Sequence, residues 1–166
     1  MTTSGARSVR LRAARVTDWL AIESLLADAE LPLEGARERL REFVVATGAT
    51  GALLGCVALE RYPAAPANTA DGAARASGLL RSLAVVSAAR GLGLGASLVE
   101  SLLAAARAEE LADVTLLTTT AADYFPRFGF RVIPRAEAPA PVQESVEFRE
   151  ACPASAVAMV LDLPPI

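Results

Sequence analysis

The segment Leu83-Ala84-Val85-Val86-Ser87-Ala88-Ala89-Arg90-Gly91-Leu92-Gly93-Leu94-Gly95-Ala96-Ser97-Leu98 constrains this chain more than any other. An apolar run fit for a buried strand leads into alternating glycines, which open a stretch of helical period. Glycine lets the backbone approach a ligand closely and turn its N–H groups outward. A helix N-terminus adds partial positive charge there, and Arg90 adds a full one. The combination is a site for phosphate or pyrophosphate. It also commits the chain to a strand–turn–helix unit, and so to helices packed on a sheet.

The rest of the chain extends that interleaving. Val9–Ala14 alternates as a half-buried strand. Thr17 is placed to cap a helix whose apolar face is Trp19, Leu20, Ile22, Leu25 and Leu26. Leu31–Gly35 breaks that helix, and a short polar helix runs to about Leu40. Phe43–Thr47 and Ala52–Tyr62 form a hairpin about the Gly48–Gly51 turn. Pro63–Ser77 reads as a long loop, Leu79–Val86 as a strand, Ala96–Leu111 as a helix with Leu98, Leu102 and Leu103 inward, and Val114–Thr119 as a strand. Asp123 is set to cap a short helix with Pro126 in its first turn and Gly129 at its end. Phe130–Ile133 begins a strand, Pro134–Pro141 is a loop, and Val157–Leu163 is a last strand. The expected fold is α/β (α+β), a mixed sheet covered on both faces. One domain spans 1–166, with its core at 9–163.

Composition narrows the chemistry. Of 166 residues, 53% are hydrophobic and 21% charged, as in a globular chain, and the net charge of −3 is no footprint of a nucleic-acid binder. No apolar run reaches the length of a membrane span, and no apolar leader opens the chain. A soluble, cytoplasmic protein is expected, with neither nucleic acid nor membrane as partner. There is no His, which removes His-based triads and His-ligated metals. All the basic residues are Arg, which removes a Walker A loop and Schiff-base chemistry. Cys56 and Cys152 fit no metal spacing and read as small packing residues. No metal is expected.

On the residues alone the glycine turn stays open to several readings. Gly91-x-Gly93-x-x-Ala96 fits the looser dinucleotide fingerprint, but that fingerprint wants an acidic residue about 20 positions on. Here the next strand ends in Thr118-Thr119-Thr120, and the turn lies mid-chain. A turn without a ligand is the plainer reading. The third is a coenzyme A pyrophosphate arm. Arg90-x-x-Gly93-x-Gly95 resembles the signature of the GNAT superfamily of N-acetyltransferases, and Ala122-Asp123-Tyr124-Phe125-Pro126-Arg127-Phe128-Gly129-Phe130 resembles its aromatic helix ending in Gly-Phe. Leu80-Arg81-Ser82-Leu83-Ala84-Val85, Leu116–Thr120 and Phe148–Ala156 look like the N-acetyltransferases of arsenic-resistance operons, which are similar to short amino-acid N-acetyltransferases. The resemblance covers roughly Val9–Leu163.

The resemblance implies a mostly antiparallel sheet in which two parallel strands, Leu80–Val86 and Val114–Thr119, splay around an acyl-pantetheine arm. It implies acetyl-CoA as co-substrate of an acyl-CoA-dependent N-acyltransferase acting on a small-molecule amine, an amino acid or arsenical amino acid among the options, and a monomer or homodimer. Leu83, Ala84 and Val85 would then line the pantetheine. Arg90, Gly91, Leu92, Gly93, Leu94, Gly95 and Ala96 would hold the pyrophosphate, and Arg127 would reach the coenzyme. The family often has a Tyr general acid on the aromatic helix. The aligned residue is Phe125, and Tyr124 sits about 100° away around a helix. Tyr124 and Glu34, the latter in the loop that walls the acceptor site, are the catalytic candidates. Thr118 and Thr119 are candidates to meet the substrate. The central strand lacks the family's carboxylate and carries Arg81 instead. Period two puts Leu79, Arg81, Leu83 and Val85 on one face. A buried Arg needs an anion, either a protein carboxylate or the acceptor's own. The departures leave a second reading, a coenzyme A-binding module without turnover. An arsenic-responsive role for Cys152 alone would be a poor soft-metal site.

Overall fold

In the computed structural model, which describes residues 8–64 and 74–165, the alternating apolar runs become strands of one sheet. These are β1 (Arg10–Ala13), β2 (Phe43–Thr47), β3 (Leu53–Tyr62), β4 (Ser77–Val85), β5 (Asp113–Thr118), β6 (Arg131–Ile133) and β7 (Val157–Asp162), in the order β1-β2-β3-β4-β5-β7-β6. Every neighbouring pair is antiparallel except β4 and β5. The helices are α1 (Trp19–Asp28), α2 (Leu94–Ala108) and the single turn α3 (Ala140–Gln143). This is the mixed, mostly antiparallel sheet with one parallel pair that was expected. Most of the Pro63–Ser77 loop lies outside the described residues.

Both faces are covered. Leu98 and Leu102 of α2 pack with Val57, Leu59, Leu116 and Met159. On the other face Ile22 and Leu26 of α1 pack with Phe43, Cys56 and Ala58, and Val142 and Phe148 pack with Leu79 and Ala158. Ile22, Leu26 and Leu98 are wholly buried, and each such side chain contributes about 1.5–3 kcal/mol.

Two features of β4 make the site. Its pairing with β5 runs only through Ser77↔Asp113, Gly78↔Val114 and Leu79↔Thr115. Beyond Leu79 and Thr115 the two strands part. The second feature is a bulge. Cys56 pairs with Ala84 and Ala58 with Arg81, so Val57 faces two residues, Ser82 and Leu83. Ser82 takes φ +60°, a left-handed conformation unusual for a side-chain-bearing residue. An extra residue reverses the alternation. Arg81 and Ala84 therefore face the α1 side with Ala58 and Cys56, whereas Leu83 and Val85 pass to the α2 side. The shared face expected for Arg81, Leu83 and Val85 is thus corrected: period two holds only on either side of Ser82.

Other expectations are adjusted. Thr17 lies inside a short 3-10 turn, Val16–Asp18, and does not cap α1. The Asp18 carboxylate instead accepts from the Arg15 N–H at 2.7 Å and from Arg12. Leu20 is 79% exposed, off the buried stripe of Trp19, Ile22, Leu25 and Leu26. Helix α2 begins at Leu94, not Ala96, because Gly93 at φ +77° makes the turn and Gly95 already lies in the first helical turn. Asp123 makes no cap bond; Tyr124 precedes a 3-10 turn, Phe125–Phe128, that Gly129 ends at φ +98°. Pro134–Pro141 is not a plain loop, since it holds the 3-10 turn Arg135–Glu137 and the start of α3. A π-helical turn, Glu147–Ala151, follows. Cys152 closes that turn, and β7 starts at Val157 as expected.

Candidate active site

Where β4 and β5 part, a cleft of about 450 Å³ opens. Its walls are Leu80–Leu83 and Leu116–Thr118 from the separated strands, Leu31, Pro32 and Glu34 from the loop after α1, and Glu147 and Cys152 from the π-helical turn. A second cleft, of about 420 Å³, runs along the glycine turn past Val85, Arg90, Gly91, Gly93, Gly95 and Arg127. Leu83 and Tyr124 line both, so the two clefts adjoin.

The second cleft is shaped by missing side chains. A Cβ built on Gly91 or Gly93 would meet nothing within 4 Å, and both have positive φ. The backbone there is bare to the cleft. The first N–H groups of α2 have no acceptors within the helix, and they carry the positive end of a helix of 15 residues. Arg90 is exposed beside them, its Nε donating to the Val85 carbonyl at 3.1 Å. Leu94 is buried under the turn, and Gly95 and Ala96 line the cleft. The Leu92 side chain turns away, 64% exposed, into a separate apolar hollow with Val9 and Leu54.

The aromatic turn closes the junction. Phe125 is buried in the α2-side core, edge-on to Phe130 with ring centroids 5.7 Å apart. Tyr124 is edge-on to Phe125 and Phe128. Its hydroxyl would lie 3.1 Å from a Cβ on Gly95, and burial pushes its pKa up. Arg127 donates Nε–H to the Tyr124 carbonyl at 2.8 Å and stacks over the Tyr124 ring at 4.2 Å. Its charge is thereby held at the cleft edge.

Buried charges floor the first cleft. The Arg81 side chain is 1% exposed and pairs with Glu60 Oε2 at 3.3 Å. It also donates to the Pro32 carbonyl at 3.2 Å and to Ser82 Oγ at 3.3 Å. The Tyr62 hydroxyl donates to the other Glu60 oxygen, and burial with that carboxylate holds its pKa far up. Arg81 therefore has a protein carboxylate as its anion. Glu147 lies close by, and burial raises its pKa to about 8. The Cys152 thiol beside it is pushed to about 12 by burial and by Glu147. Such a thiol stays protonated and unreactive.

A family model described as the acetyltransferase (GNAT) domain matches residues 39–132, more than half of the chain. The chain belongs to the GNAT acetyltransferase family. Its co-substrate is accordingly acetyl-CoA. The fold matches N-acetylglutamate synthase from Neisseria gonorrhoeae, complexed with coenzyme A and N-acetyl-glutamate, with a TM-score of 0.73 at 23% identity over 95% of this chain and 35% of that one. The chain thus spans about a third of that synthase's length. Rv2747 from Mycobacterium tuberculosis, in complex with CoA and NLQ, superposes with a TM-score of 0.72 at 28% identity, covering 93% of this chain and 99% of that one. A GNAT-family acetyltransferase from Staphylococcus aureus gives 0.70 at 14% identity over 95% and 100%. Among curated proteins, no sequence matches the chain.

Within this GNAT domain, the residues singled out from sequence fall into groups. Leu83, Ala84, Val85, Arg90, Gly91, Gly93, Leu94, Gly95, Ala96 and Arg127 line the glycine-turn cleft together. Arg81, Thr118, Thr119, Glu34 and Tyr124 line the other. Glu34 is exposed on the rim. Thr118 Oγ1 already accepts from the Ala121 N–H at 2.9 Å, which fixes the turn after β5. Two charged residues escaped the sequence reading, Glu147 in the cleft wall and Glu60 buried against Arg81 beneath it. Glu60 had a faint signal, a charge in an apolar strand across from a charged neighbour strand. Glu147 had none, because its π-helical turn has no period to read.

Proposed function

We propose that this GNAT domain moves the acetyl group of acetyl-CoA to the amino group of a small molecule, an amino acid being the favoured class. One observation carries the reading: the cleft between β4 and β5 adjoins the glycine-turn cleft at Leu83 and Tyr124. A long donor lying across both would have its pyrophosphate on the amides of Arg90–Ala96 and its thioester beside the parted strands. Backbone groups of Leu83 and Val85 would pair with pantetheine amides, the Val85 carbonyl exchanging its bond to Arg90. The acceptor would enter past Glu34, Thr118 and Thr119.

The chemistry asks little of side chains. The amine nitrogen attacks the thioester carbon, the C–N bond forms, and the C–S bond breaks. Holding both reactants together supplies much of the acceleration. A thiol of pKa about 8.5 is a fair leaving group without a strong acid. Phe125, buried in the core, offers no hydroxyl at the family's usual place. That same substitution favours the second reading, a coenzyme A-binding module without turnover.

Thiol release from acetyl-CoA, followed with a panel of amino acids, arsenic-containing amino acids and simple amines, separates the readings. Release with at least one amine, and an N-acetyl product by mass spectrometry, is expected. Coenzyme A binding with no release from any amine would leave the module.

A further inference from the structure

Once Glu147 ionises, the almost wholly buried charges beneath the acceptor cleft do not balance. Glu60, Arg81 and Glu147 are 2%, 2% and 3% exposed. Arg81 pairs with Glu60 and donates also to Pro32 and Ser82, none of its hydrogen bonds reaching Glu147. Arg135, from the turn before α3, is the other cation facing Glu147, and its donors go to the carbonyls of Pro153 at 2.8 Å and Phe148 at 2.7 Å. The remaining titratable neighbours are Glu60 on β3 and Cys152 after the π-helical turn, with Glu30 and Glu34 on the opposite wall of the cleft. Glu147 lines that cleft with the Cys152 thiol, a weak donor, beside its carboxyl, and its Oε2 is buried with no hydrogen bond of good geometry. A carboxyl oxygen so placed is unfavourable unless something bonds it. The cleft wall is the side from which a bonding group can come.

We propose that Glu147 receives the ammonium group of the acceptor and takes its proton before attack. The proposal rests on the acetyl-transfer reading above and deepens it. When Glu147 is ionised, an ammonium supplies the positive charge that the buried Glu60, Glu147 and Arg81 together lack. It also brings the carboxyl group an N–H donor stronger than the neighbouring thiol. Burial lifts the Glu147 carboxyl to about 8, far nearer an amine than an ordinary carboxylate stands, as a general base working near neutral pH requires. The step balances. The Glu147 carboxylate takes one proton from R–NH3+, leaving R–NH2. The nitrogen lone pair forms the C–N bond at the thioester carbonyl, and collapse breaks the C–S bond. The thiolate leaves with a second proton from that nitrogen, and Glu147 returns its own to solvent.

The test is the pH dependence of kcat/KM for thiol release from acetyl-CoA, with an equimolar mixture of the twenty common amino acids as acceptor. Wild type, Glu147→Gln and Glu147→Asp are compared. For wild type, kcat/KM should climb as pH rises through about 8, as Glu147 ionises. Glu147→Gln keeps the size of the side chain, so near neutral pH it should stay folded, with acetyl-CoA affinity close to wild type. Its kcat/KM near neutrality should fall by about 10²–10⁴-fold, as for loss of an acid–base group. The deficit should shrink at high pH, where the amine loses its proton unaided. Glu147→Asp should keep the rising limb at lower height. A folded Glu147→Gln protein with the wild-type profile would overturn the role of Glu147 and leave acetyl transfer standing. A wild-type protein that releases no thiol with this mixture or with any arsenic-containing amino acid or simple amine of the wider panel would overturn both.

Discussion

Arg81 and Glu60 show how a single residue can be read two ways until its partner is known. A charged side chain in an apolar strand needs an anion, and here Glu60 supplies it at 3.3 Å with both side chains almost wholly buried. Breaking such a pair from one side strands a buried charge. Arg81→Met should therefore lower stability by about 3–5 kcal/mol. A urea midpoint unchanged from wild type would show that Glu60 does not depend on Arg81. Tyr124 presents the complementary case, a half-buried candidate whose neighbour holds the family's usual position. Its hydroxyl points to Gly95 at the start of α2, toward the coenzyme side of the junction. Tyr124→Phe should lower kcat by far less than the 10²–10⁴-fold of a lost acid–base group. A steady-state loss of that full size would make Tyr124 the acid.

At the scale of elements, the strands were legible because alternation and turn residues mark them, and Phe43–Thr47 was read at its observed bounds. The glycine turn was legible because Gly91 and Gly93 take a conformation that other residues avoid. The bulge in β4 was not legible. Nothing in Arg81-Ser82-Leu83 announces that Ser82 turns to φ +60°, since serine carries no strong left-handed preference. The fold imposes that conformation through pairing with β3. Comparing Ser82→Gly with Ser82→Val isolates the backbone, because both lose the hydroxyl that Arg81 contacts. The valine protein should be less stable than the glycine one by about 1–2 kcal/mol or more, read from thermal or urea melts. Equal stabilities would place the strain elsewhere. Glu147 was invisible for a different reason: its burial comes from packing of the 135–151 segment over the sheet, a tertiary event.

Across the whole molecule, the sheet supplies a rigid frame and β4 supplies the defect that makes room for a reaction. The unpaired carboxyl beneath the cleft leaves a mark on stability. Glu147 holds its proton more tightly in the folded protein, at about 8 against an ordinary 4.5. Between those values the folded state binds more protons than the unfolded one, so its contribution to stability is full below the lower value and falls as pH rises through the higher. Wild type should lose melting temperature across that window, and Glu147→Gln should flatten the decline. Identical pH slopes in the two proteins would deny the buried titration. The central claim, a donor lying from the glycine turn to the parted strands, is tested most directly by calorimetry of acetyl-CoA against wild type and Gly93→Asp. Gly93 sits at φ +77°, which strains any side chain but Asn and Asp least, and nothing lies within 4 Å of a would-be Cβ, so an aspartate meets no clash and projects its charge into the cleft. Acetyl-CoA should bind wild type, NAD should not, and Gly93→Asp should abolish the binding while remaining folded. Unchanged acetyl-CoA affinity in Gly93→Asp, or NAD binding as tight as acetyl-CoA, would contradict the account.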